Sequence, residues 1–169
     1  MKKLVLLLLF LSFQTQAQDI MQQLEDMIKI EPNVEVNLGA GMLGLLSGMT
    51  ESEDEVASVM KNLTEVVVRV YELDEGYSGD VDQLKSWVND TAKGLKSNGF
   101  QQLAAIREDD STVFILAEMG NNSMKGLSVM ALEDDSELVV IKIGGQILLK
   151  DLGVLMKRFN VDISDIDIK

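Results

Sequence analysis

The 169-residue chain has no cysteine and no histidine. Their absence removes Ser/His/Asp and Cys/His catalysis, thiolate zinc sites, imidazole ligation of haem, and disulfides. A single proline, Pro32, leaves long stretches free of that breaker. Basic residues are scarce, with 15 Lys and Arg against 28 Asp and Glu, a formal net charge of −13. That balance repels nucleic acid phosphates and anionic lipid heads, so neither is an expected partner. No apolar run approaches the roughly 20 residues that a helix needs to cross a bilayer.

The longest apolar run, Leu4 to Leu11, follows Lys2 and Lys3 and precedes Thr15-Gln16-Ala17. A basic start, a short apolar core and small residues at the cleavage positions predict a secretory signal over 1–17. The product would begin near Gln18, and loss of Lys2 and Lys3 takes its charge to −15. No cysteine stands at the cleavage site to carry a lipid, so membrane anchoring is not indicated after cleavage. About 150 residues remain, enough to bury one core unaided. A single domain over 18–159 with a tail over 160–169 is expected.

Apolar spacing at Ile20, Leu24, Met27 and Ile28 predicts a short helix that stops before Pro32. Val34 to Leu38 alternates as a strand, and the uncharged run Gly39 to Met49 predicts a helix. Ser52-Glu53-Asp54-Glu55 fits a capping box for another helix. Thr64 to Leu73 alternates again, with Val66, Val68 and Val70 on one face and Val67, Arg69 and Tyr71 on the other. Asp80 caps a helix whose stripe is Val81, Leu84, Trp87/Val88, Ala92 and Leu95, and Gly99 ends it. Four short-linked strands follow, at Phe100 to Arg107, Val113 to Ala117, Lys125 to Leu132 and Leu138 to Ile143. Links this short suit hairpins, hence an antiparallel meander. Gly144-Gly145 then reads as a bend into a closing helix with Leu149, Leu152, Leu155/Met156 and Phe159 on one side. The expected fold class is α+β: one mainly antiparallel sheet with a C-terminal four-strand meander, helices packed on it and a closing helix.

Three stretches invite a site. Gly39-x-Gly41-x-x-Gly44 lies between a predicted strand and a predicted helix, as a dinucleotide-binding turn requires, with Glu72 or Asp74 available for a ribose. The competing reading puts Gly41, Gly44 and Gly48 on one helix face for close packing on the sheet. The acidic loop 74–82 has a glycine in the sixth place of a calcium loop, but Gly76 and Lys85 occupy its third and twelfth ligand positions. Met42, Leu45, Leu46 and Met49 form an uncharged, adaptable surface for a partner, with core burial as the alternative. Acids at turn tips lack the enclosure that separates carboxylate pKa values, so the residues favour binding over catalysis, and no cofactor or metal is assigned.

The chain resembles the small exported proteins grouped as DUF4252. The residues that carry this likeness are Val36-Asn37 leading into Gly41-Met42-Leu43 and Leu46, and Leu138 to Ile147 followed by Leu149-Lys150-Asp151-Leu152. The resemblance implies a place in the envelope of a Gram-negative bacterium and supplies no catalytic residues. A non-catalytic binding or interaction domain, with an envelope protein as possible partner, is the expectation; ligand or cofactor chemistry at the Gly39/Gly41/Gly44 turn or the 74–82 loop is the alternative.

Overall fold

Period-two alternation of aliphatic residues builds the sheet, and 3.6-residue spacing builds the helices laid on it. The structure, a computed structural model, describes residues 20–49, 55–121 and 123–148. In chain order the elements are α1 (Ile20–Ile28), β1 (Val34–Gly39), α2 (Ala40–Met49), α3 (Glu55–Met60), β2 (Leu63–Glu72), a short 3-10 turn (Leu73–Glu75), α4 (Val81–Ser97), β3 (Phe100–Arg107), β4 (Thr112–Met119), β5 (Ser123–Glu133) and β6 (Glu137–Leu148). The fold is α+β. One antiparallel six-stranded sheet runs β1-β2-β6-β5-β4-β3.

Strands β3 to β6 pair in chain order, and they are part of a larger sheet: β2 adds to the other edge of β6, and β1 to β2. The bend expected at Gly144-Gly145 is corrected: β6 continues through both glycines to Leu148. Gly145, at φ 116°, lies where an added Cβ would come within 2.5 Å of the Asn62 carbonyl oxygen. Glycine therefore lets the two strands bulge past each other while Gln146 N–H still donates to Asn62 O at 2.8 Å. The fully buried Ile147 holds the last turn of the strand down. The capping residues 52–54, the expected closing helix and the tail lie outside the described residues.

Parity along each strand sends its side chains to two faces. On one, α1 and α4 set Leu24, Ile28, Leu84, Val88 and Ala92 against Val67, Tyr71, Phe114, Leu116, Met130, Leu138 and Val140. Leu84 and Val88 are fully buried, which stabilises by roughly 1.5–3 kcal/mol each. Asp80 starts α4, its carboxylate accepting from Asp82 N–H at 2.9 Å, and Gly99, at φ 94°, follows the end of the helix. Lys85 ties α4 to the β5–β6 turn, its Nζ 2.9 Å from both oxygens of Asp135. On the second face α2 and α3 bring Leu43 and Val59 over Val66, Leu127, Ile143 and Ile147. Farther along this face Val68, Ile115, Val129 and Ile141 are half-buried.

Arg69 is the charge inside the first core, only 7% exposed. It joins α1 to the edge strand, 2.8 Å from Glu35 and 3.7 Å from Glu25, and donates to the carbonyls of Val36 and Val68. A buried guanidinium stripped of its anions is worse than no guanidinium. Glu25→Gln with Glu35→Gln should lower stability by about 3 kcal/mol and Arg69→Met by less. Urea denaturation ranks the two variants, and the reverse order contradicts this account.

Tyr71, two residues on, is fully buried, and its hydroxyl has no hydrogen-bond partner among the described residues. Burial pushes its pKa above the ordinary tyrosine value; Glu25 and Glu35 add to the rise and Arg69 opposes it. The folded state thus favours the neutral phenol, a contribution complete below about pH 10 and lost as pH climbs past it. Tyr71→Phe should match or exceed the parent's urea midpoint at pH 7 and lose less of it at pH 11. A variant much weaker at pH 7 would show that the hydroxyl is bonded after all.

A candidate binding cleft between helix α4 and the sheet

The site begins with two residues that have no side chains. Across the sheet, Phe100 of β3, Glu118 of β4, Gly126 of β5, Gly144 of β6 and Glu65 of β2 stand in one row, each opposite the next. The row behind it holds Leu116, Ser128, Lys142 and Val67. With no Cβ on Gly126 or Gly144, the sheet surface between Glu118 and Glu65 is backbone alone. Those two acids are three strand spacings apart, about 14 Å.

The two glycines do different things. A Cβ on Gly144 would lie 2.9 Å from Glu65 Cγ and 3.1 Å from its Oε1, so the Glu65 chain folds across that backbone. From there Glu65 reaches Lys142 Nζ at 3.0 Å. A Cβ on Gly126 would meet only the Ile143 carbonyl oxygen, at 3.5 Å. Gly126 is therefore the open floor of a cleft of about 730 Å³, within the usual size of small-molecule sites.

Helix α4 forms the roof with Trp87, Thr91 and Leu95, while Ile20 of α1 and Phe100 of β3 close the ends. Trp87 follows from the helical spacing that buries Val88, since a neighbour in sequence sits beside the core stripe. Two donors in the lining are buried without a hydrogen-bond partner among the described residues: Ser128 Oγ and Trp87 Nε1. Ser128 is only 2% exposed. An unmet buried donor costs about 1–3 kcal/mol, so a small turn of either side chain toward an acceptor in the cleft would be favourable. Glu118 and Asp90 add negative charge to the lining and Lys125 adds positive charge, while Lys142 is held by Glu65. Among the described residues no group of three or more acids is placed to hold a metal ion. The arrangement offers directed hydrogen bonds beside an aromatic wall, with Lys142 tied to Glu65 and Asp90 tied to Lys93.

The stretches singled out from sequence lie elsewhere. Gly39, Gly41 and Gly44 do sit at a strand-to-helix junction, but β1 is an edge strand antiparallel to β2. Gly39 stands opposite Glu65, so Glu72 is seven residues away along β2, about 23 Å, and no ribose acid meets the turn. Close packing by the α2 glycines is also corrected: a Cβ on Gly41, Gly44 or Gly48 would touch nothing within 4 Å, and the buried positions are Leu43 and Ser47. In the 74–82 loop, the Asp80 carboxylate caps α4 and the Tyr77 ring lies over Gly79, with Tyr77 Oη donating to Asp80 O at 3.2 Å. On α2, Met42 is 50% exposed, Leu45 65% and Met49 83%, while Leu46 is half-buried. Nothing in the structure shows what covers that patch.

Sequence reasoning does not single out Ser128 or Gly126, and it places Trp87 only in the buried stripe of its helix. A signal was present: Gly126 and Ser128 are small residues at alternate positions of a strand whose next alternate positions are Met130 and Leu132, where a closely packed face would carry larger side chains throughout. What the spacing could not give was the register that brings Gly144 opposite Gly126.

No curated protein and no solved structure matches the chain. The family described as "Domain of unknown function (DUF4252)" matches residues 25–155, which takes in every strand of the sheet and all of α4. The chain belongs to the DUF4252 family.

Proposed function

We propose that this chain is an exported protein of the bacterial cell envelope whose single domain binds a small ligand without transforming it. The observation that carries the binding reading is an open cleft lined by Ser128 and Trp87, two residues whose buried Oγ and Nε1 have no hydrogen-bond partner among the described residues. The chemistry of the lining favours holding over reacting: there is no imidazole or thiol anywhere in the chain, and Lys142 is committed to Glu65.

Filling the floor separates this reading from a merely wet groove. In Gly126→Val a β-branched side chain replaces bare backbone in a strand, a change that suits strand geometry while occupying the cleft. Native mass spectrometry of the chain recovered from its own envelope should show a small bound mass in the parent, released unaltered, and none in Gly126→Val, with both melting at similar temperatures. The same mass on both proteins, or on neither, contradicts the proposal.

Export rests on Lys2, Lys3, the Leu4 to Leu11 core and Ala17. N-terminal sequencing of the envelope fraction should begin near Gln18. Recovery of the chain from the cytoplasm with Met1 intact would refute this part.

A further inference from the structure

The cleft presents opposite demands at two neighbouring points. Ser128 and Lys142 stand directly opposite each other on β5 and β6, and with Trp87 Nε1 they offer hydrogen to an acceptor. Glu118 faces Gly126, two residues before Ser128 on the same face, and offers a carboxylate at the end of the lining that also holds the exposed Lys125. Diagonal neighbours of this kind are about 7–8 Å apart. An acceptor-only ligand leaves Glu118 unmatched, and a cation alone leaves Ser128 and Trp87 unmatched. A molecule with both charges, roughly 7 Å apart, meets all of them.

We infer that the ligand is a small zwitterion with an apolar body, of the size and charge spacing of a dipeptide. Two residues of extended chain span roughly 7 Å, which matches the diagonal from Glu118 to Ser128. Its ammonium group sits at Glu118. Its carboxylate accepts from Ser128 Oγ and Trp87 Nε1 and shares Lys142 with Glu65. Apolar side chains rest on the Trp87 ring, Leu95 and Phe100, and the backbone passes over Gly126, where any larger residue would block it. This inference rests on the ligand-binding reading above and adds the chemical class.

Trp87 is the single tryptophan of the chain, so its fluorescence reports on this cleft alone. The probes are leucyl-leucine, its N-acetyl derivative, which lacks the ammonium, and its C-terminal amide, which lacks the carboxylate. Leucyl-leucine should change Trp87 emission saturably, and each derivative should bind about tenfold more weakly or worse, as expected for loss of a charge-assisted hydrogen bond. In Glu118→Gln the advantage of leucyl-leucine over the N-acetyl form should vanish while the melting temperature and the penalty for the amide remain. If a derivative binds as well as the dipeptide, the cleft is a binding site but the zwitterion is wrong. If none of the three alters Trp87 emission or melting, the zwitterion falls, and the bound mass in native mass spectrometry decides the binding reading separately.

Discussion

Pairing of β6 along both of its edges is the constraint on which the rest of the molecule depends. Leu138 to Ile143 bonds to β2 on one side and β5 on the other, so the strand joins the N-terminal half of the chain to the C-terminal hairpins in one sheet. With both faces aliphatic apart from Lys142, it supplies core to the α1/α4 layer through Leu138 and Val140 and to the α2/α3 layer through Ile143 and Ile147. Lys142 is the exception that begins the cleft.

The cleft follows from how that strand ends. Helix α4 packs closely through Leu84, Val88 and Ala92, where large residues rise from the sheet to meet it. Farther along, Gly126 and Gly144 raise no side chain; Glu65 folds over Gly144, and Gly126 is left as bare floor in the cleft that Trp87 and Leu95 line. Polar groups that packing would have excluded then remain beneath the helix. The Glu65–Lys142 pair is about one-third exposed on each side, so its own contribution to stability is small, about 0–1 kcal/mol. Positioning a cation beside Ser128 is the more consequential result.

Much of the fold could be read from local pattern. The alternation of β2, the stripe and cap of α4, and the short turns between β3, β4, β5 and β6 each rest on neighbours close in sequence. Asp134 and Asp135 both adopt positive φ in the β5–β6 turn, a conformation that aspartate tolerates better than most residues. What spacing could not supply was long-range. A glycine pair in sequence permits either a bend or a bulge, and the buried Ile147 together with the Asn62 contact decides for the bulge. Likewise the apolar run of α2 has too little contrast around the helix to say which side is buried, and Leu43 and Ser47 turn inward while the glycines face out. The cleft belongs to the same class, since it needs residues from β2, β4, β5, β6 and α4 in register.

The central claim is that a ligand is held over Gly126 by the Trp87 indole and the Ser128 hydroxyl. One tryptophan gives one indole N–H resonance in a nuclear magnetic resonance spectrum, so the site has its own peak. On titration with leucyl-leucine, that peak should move saturably together with the backbone amides of Ser128 and Lys142. An indole resonance that stays in place while amides elsewhere in the sheet respond would contradict the account.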